Sequence, residues 1–179
     1  MKHKYTLLIY TENHVGLLNR ISIIFTRHKV NIESLNTSPA MEKGFHSFCI
    51  TIETTQEVAE HLRKIIDKQV EVLRAFLYEE NQVIAQEVAL FKVATASVPD
   101  YNVIEQLVRT SNARILAIDP QFFVIEKTGL QMEIQKFLDE LTANFDVREF
   151  IQSGRVVVTR PMGKLIEILD DLEKQEEIS

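Results

Sequence analysis

The sequence predicts an α+β fold made of two βαββαβ sandwiches in tandem, each an antiparallel sheet with both helices on one face. Three observations carry that expectation: apolar residues switch between strand and helix periods in a fixed order, the order breaks at the polar run Glu79-Glu80-Asn81-Gln82, and it then starts again over a nearly equal length. Helices interleaved in this order, with short strands between them, disfavour a single doubly wound sheet.

The elements follow in order. Tyr5 to Tyr10 is an apolar, β-rich run suited to a central strand, and Leu17, Leu18, Ile21, Ile24 and Phe25 then recur at helical spacing. Asn31 to Ser38 reads as a short strand ending before Pro39, and Phe45 to Thr54 as a strand with Phe48, Ile50 and Ile52 on one face. Gln56 to Lys68 is a helix behind the capping residue Thr55, and Val70 to Tyr78 returns to strand. The second half repeats this: strand Glu87 to Thr95, helix Asn102 to Thr110 with Val103, Leu107 and Val108 inward, and strand Ala113 to Asp119 stopped at Pro120. Phe122 to Lys127 is again strand, Leu130 to Asn144 a helix built on Met132, Ile134, Phe137, Leu138 and Leu141, and Asp146 to Arg160 supplies the closing strand or strands. After Pro161, Leu165, Ile168, Leu169 and Leu172 form one stripe of a tail helix, which either packs on its own domain or binds a partner.

Composition narrows the function. With 179 residues and 45% hydrophobic content the chain can fill two small cores, and its net charge of -6 argues against a nucleic-acid binder. The single Cys49 supplies neither an intrachain disulfide nor a metal cluster, which makes a reducing cytoplasm the simplest compartment. No apolar run reaches membrane-spanning length, and Met1-Lys2-His3-Lys4-Tyr5 runs directly into a strand. Phosphate-binding glycine motifs, a nucleophile elbow and an H-E-x-x-H pair are all missing, so no catalytic residue is assigned. His14, His28, His46 and His61 lack metal-ligand spacing, and no metal site is assigned either.

The chemistry concentrates in Thr11-Glu12-Asn13-His14-Val15-Gly16-Leu17-Leu18-Asn19-Arg20 and, after the helix, Val30-Asn31-Ile32-Glu33-Ser34-Leu35. A helix starting near Val15 or Gly16 presents unpaired N–H groups that favour an anion such as an α-carboxylate. Gly16 lets backbone approach a ligand, and the Asn13 amide can donate to a carboxylate and accept from an ammonium. Asn31 carries the same dual amide at the far end of a helix of some fourteen residues, roughly 20 Å long, so one ligand held by both must lie between two chains. Each residue also has a plain structural reading: Gly16 as a turn residue, Asn13 as a helix cap, Asn31 as a left-handed helix stop.

These two runs, with Phe25 between them, resemble the ACT domain of the acetolactate synthase (acetohydroxyacid synthase) small regulatory subunit; N-x-x-G-x-L-x-R followed by N-I-E-S-L is specific to that family among ACT domains. Val70-Glu71-Val72-Leu73 resembles the family's closing strand. Glu87-Val88-Ala89-Leu90-Phe91-Lys92-Val93 and Ala113-Arg114-Ile115-Leu116-Ala117-Ile118-Asp119 resemble the start and middle of its C-terminal domain. The sequence departs from the family at Gln152-Ser153-Gly154, where relatives commonly have R-T-G, in the loop Ser97-Val98-Pro99-Asp100-Tyr101, and in a longer tail after Gly163.

The resemblance implies two ferredoxin-like sandwiches: an amino-acid-binding ACT domain over residues 1–80, a C-terminal domain over 84–162 that contacts the catalytic subunit, and an amphipathic tail helix over 163–179. It implies a noncatalytic cytoplasmic partner of an enzyme that condenses pyruvate with pyruvate or 2-oxobutyrate, in branched-chain amino acid biosynthesis. Thiamine diphosphate, magnesium and FAD are expected on that catalytic subunit and no cofactor on this chain. Two ACT domains would pair side by side as a homodimer and bind valine, or another branched-chain amino acid, at their interface as a feedback inhibitor. By position Asn13 and Gly16 of one chain and Asn31 of the other would hold its polar end, with Leu17 and Ile32 as backbone and wall contributors. Two other readings stand beside this one: a free-standing amino-acid-sensing ACT regulator, and a small enzyme or metal sensor using His14 and His46.

Overall fold

The computed structural model describes residues 1–160, so the tail helix expected over 163–179 lies outside the described residues. The chain divides into two units, one built on Met1–Ile84 and the other on Ala85–Val156. Each is a ferredoxin-like sandwich with the βαββαβ order that the sequence predicts.

In the first unit β1 (His3–Glu12) leads to α1 (Leu17–Arg27), β2 (Ile32–Pro39), β3 (Phe45–Thr54), α2 (Gln56–Asp67) and β4 (Val72–Glu79). The sheet is antiparallel in the order β2-β3-β1-β4, which leaves β2 and β4 as its edges. Alternation decides which side chains meet the helices: Tyr5, Leu7 and Ile9 of β1 and Phe48, Ile50 and Ile52 of β3 join Leu17, Ile21, Phe25 and Leu62 in one buried cluster. Cys49 falls between Phe48 and Ile50 and so turns to the opposite face, where it is buried. Helix α2 lies over β1 and β4, so α1, which connects β1 to β2, occupies the β3–β2 side of the layer next to the β2 edge.

The second unit repeats the plan: β5 (Val83–Ala94), α3 (Tyr101–Thr110), β6 (Ala113–Ile118), β7 (Phe122–Gly129), α4 (Gln131–Asn144) and β8 (Val147–Gln152), with strand order β6-β7-β5-β8. The closing segment splits into β8 and β9 (Val156–Thr159) around Ser153-Gly154-Arg155, and β9 also pairs with β5. Ala89, Phe91 and Val93 pack against Ile104, Val108, Ile134, Phe137 and Leu141.

Several sequence expectations change. Leu18, Val103 and Met132 match a helical stripe by spacing but point outward, and Ile104 takes the inward place expected of Val103. Strand β4 begins at Val72 rather than Val70, because a turn closed by the Val72 N–H on the Gln69 carbonyl leaves Val70 in solvent. The polar run at Glu80–Gln82 is a single tight turn, braced by the Glu79 N–H donating to Gln82 Oε1 at 2.8 Å, and β5 starts directly after it.

Candidate functional site

The loop of interest is held where β1 ends. The Glu12 N–H donates to the Glu71 carbonyl at 3.0 Å, the His14 N–H to the Glu12 carbonyl at 3.1 Å, and the Leu17 N–H to the His14 carbonyl at 3.4 Å. Gly16 then stands at the head of α1 with φ +86°, a left-handed conformation that glycine adopts without strain, and no atom lies within 4 Å of where a Cβ would sit. The glycine is therefore demanded by backbone conformation, and the space above it is open.

Helix α1 starts without a cap. No side chain bonds its first amides, and no acidic residue lies in its first turn. The Leu17 N–H is taken by the His14 carbonyl, but the following N–H groups of a first turn have no acceptor one turn back, so they and the helix dipole favour an anion at this point. Asn13 is exposed and its amide has no hydrogen-bond partner among the described residues. It does not cap the helix, since Gly16 occupies that position. His14 is exposed and its Nε2 lies 2.9 Å from Glu12 Oε2. Thr11, the penultimate residue of β1, is fully buried with a hydroxyl that finds no partner among the described residues.

The other two residues sit at the far end of α1. Asn31 is exposed and donates from Nδ2 to Glu33 Oε1 at 2.9 Å, while Ile32 opens the edge strand β2 and is half-buried against the core. The left-handed residue that ends α1 is Lys29, with φ +55°, so the reading of Asn31 as helix stop is set aside. Leu17 is only 2% exposed and packs in the core, which leaves its main chain alone to face a ligand.

The structure thus brings together Asn13, Gly16 and Leu17 at one end of α1, and Asn31 and Ile32 at the other. The 11 residues of α1 span about 16 Å at 1.5 Å per residue, shorter than the sequence estimate but beyond the reach of one small ligand. Two residues escaped the sequence reading. Arg20, in the first turns of α1, places Nη2 2.6 Å from Glu71 Oε1, and this hydrogen bond holds the Glu71 carboxyl below the usual carboxylate range. Arg20 was visible in the motif without a role; Glu71 was visible only as part of the closing-strand run Val70-Glu71-Val72-Leu73, and its pairing with Arg20 follows only from the sheet order.

Among the described residues no group of three or more His, Cys, Asp or Glu side chains could hold a metal ion, and no helix is long and apolar enough to cross a membrane.

Comparison with known proteins gives two family matches: residues 7–74 match the AHAS small subunit-like ACT domain, and residues 86–161 match the small subunit of acetolactate synthase. The acetolactate synthase small subunit of Mycobacterium leprae is 30% identical over 160 residues, spanning 89% of this chain and 94% of that protein. That of Mycolicibacterium smegmatis is 29% identical over 160 residues, spanning 89% and 93%. The crystal structure of the Thermotoga maritima acetolactate synthase small subunit superposes with a TM-score of 0.81 at 23% identity, covering 90% of this chain and 99% of that one, and so shares the fold.

Proposed function

The chain belongs to the acetolactate synthase small-subunit family, and we propose that it activates the thiamine-diphosphate-dependent catalytic subunit and confers feedback inhibition by valine or another branched-chain amino acid. The observation that carries this reading is the uncapped start of α1 at Gly16, beside the unpartnered amide of Asn13, in a helix that borders the sheet edge β2.

An effector's α-carboxylate meets the first-turn amides of α1, and the Asn13 amide serves its carboxylate or ammonium. Two copies that join their β2 edges about a two-fold axis lay their α1 helices side by side in opposite directions. The Gly16 end of one helix then faces the Asn31 end of the other, so a ligand some 16 Å from Asn31 within its own chain meets Asn31 of the second chain. As an edge strand, β2 has β3 on one side and can take a further strand on the other. Ligand binding and dimer geometry become one equilibrium.

Regulation follows by linkage. An effector that binds one conformation of the paired domains more tightly shifts the catalytic assembly by that difference, and typical couplings of about 1–3 kcal/mol change activity several-fold or more. In this reading the catalytic subunit supplies the reacting groups and this chain the effector site. Calorimetry with L-valine tests the site: Asn13→Ala and Asn31→Ala are each expected to weaken binding while the catalytic subunit is still activated. Unchanged affinity in both variants overturns the assignment.

A further inference from the structure

We propose that Glu71 is the positioning residue of the effector loop, gripping both of its ends from the turn just before β4. The proposal rests on the reading of that loop as an amino-acid site. On one side the Glu71 carbonyl accepts the N–H of Glu12, the last residue of β1, at 3.0 Å. On the other its carboxylate meets the Arg20 guanidinium at 2.6 Å, and Arg20 in turn donates its own N–H to the Gly16 carbonyl at 3.2 Å. Asn13 through Gly16 therefore lie between two points fixed to one residue.

The pair is poorly suited to a purely stabilising role. Arg20 is 46% exposed and Glu71 19%, and ion pairs this wet add little to folding. Its effect is geometric and electrostatic. The clamp sets the angle at which β1 delivers the loop to α1, and Arg20 neutralises a carboxylate that would otherwise stand near the start of α1, where the effector's own carboxylate is to bind. Removing Arg20 thus does two kinds of harm, whereas removing the Glu71 side chain does one.

The full-length chain carrying Glu71→Ala, Arg20→Gln, or the exchanged pair Glu71→Arg with Arg20→Glu tests this. Amide hydrogen exchange without ligand should quicken over residues 12–17 in Glu71→Ala while α2 keeps its protection and the unfolding midpoint stays in place. L-valine affinity should fall about fivefold in Glu71→Ala, the scale of one partly exposed ion pair, and further in Arg20→Gln. The exchanged pair should recover loop protection. Unaltered exchange over residues 12–17 in Glu71→Ala overturns the clamp whether or not valine binds. Wild-type affinity in Glu71→Ala overturns its role in binding. A wild-type chain that binds no valine defeats the underlying site reading, and the exchange experiment then still decides the clamp by itself.

Discussion

Helices α1 and α3 occupy the same place in two copies of the same fold, each following the first strand of a βαββαβ unit, and they begin in opposite ways. Helix α3 is headed by Asp100, whose carboxylate accepts the Asn102 N–H at 2.9 Å and the Asn102 side-chain amide at 2.9 Å. Helix α1 is headed by Gly16, with no side-chain cap and no acid in its first turn. The anion that a helix start favours is built into the chain in one unit and is absent from the chain in the other, where the proposed effector would supply it. The fold supplies two equivalent positions, and the residue at the head of each helix decides whether a side chain of the chain itself caps it, as in α3, or leaves it open for the proposed effector, as in α1.

The largest expected effect comes from giving α1 the cap of α3. Gly16→Asp combines a non-glycine residue at φ +86° with a like charge at the anion position, and is expected to weaken L-valine binding more than about a hundredfold in calorimetry. Binding close to wild type would break the comparison. Asn13→Ala and Asn31→Ala come next: each removes a hydrogen bond to a charged ligand group, so affinity should fall about ten- to a hundredfold, with activation of the catalytic subunit retained in a reconstituted assay. Smaller is Asp100→Ala, which removes the α3 cap; chemical denaturation should show a loss of about 1 kcal/mol, and valine affinity should not move. A change in valine affinity there would show that the second helix start also takes part.

The smallest effect is a dependence on acid. Arg20 lowers the Glu71 carboxyl below its ordinary value in the folded chain, so the contribution of the pair is complete above the unfolded-state value and is lost as the pH falls through the lower folded one. Exchange protection over residues 12–17 should accordingly hold above the ordinary glutamate range and fade, as the pH falls, at a lower pH than an unpaired glutamate would set. Loss of protection above that range would contradict the clamp.

The alternation of β1 and β3 and the spacing of Ile21, Ile24 and Phe25 were legible in the sequence because periods of two and of 3.6 residues report directly on which face is buried. Leu18 and Val103 misled because adjacent apolar residues on a helix differ by about 100°, and spacing alone does not say which one the sheet reaches; Met132 stands two residues, about 200°, from the buried Ile134 and so faces away from it. The stop of α1 at Lys29 was hidden by residue preference, since asparagine adopts the left-handed region more readily than lysine. Gly16 and the two asparagines could be read because their chemistry is local. The Glu71–Arg20 pair could not, because it exists only once β4 lies beside β1 and brings residues from opposite ends of the unit together.

Whether one effector is shared by two chains is decided by mixed dimers of Asn13→Ala and Asn31→Ala. In such a dimer one composite site keeps both asparagines and the other loses both. Valine calorimetry on the mixture is therefore predicted to recover a class of sites with wild-type affinity that neither variant shows alone. If the mixed dimer forms and binds valine only as weakly as its parents, the asparagines do not meet across two chains.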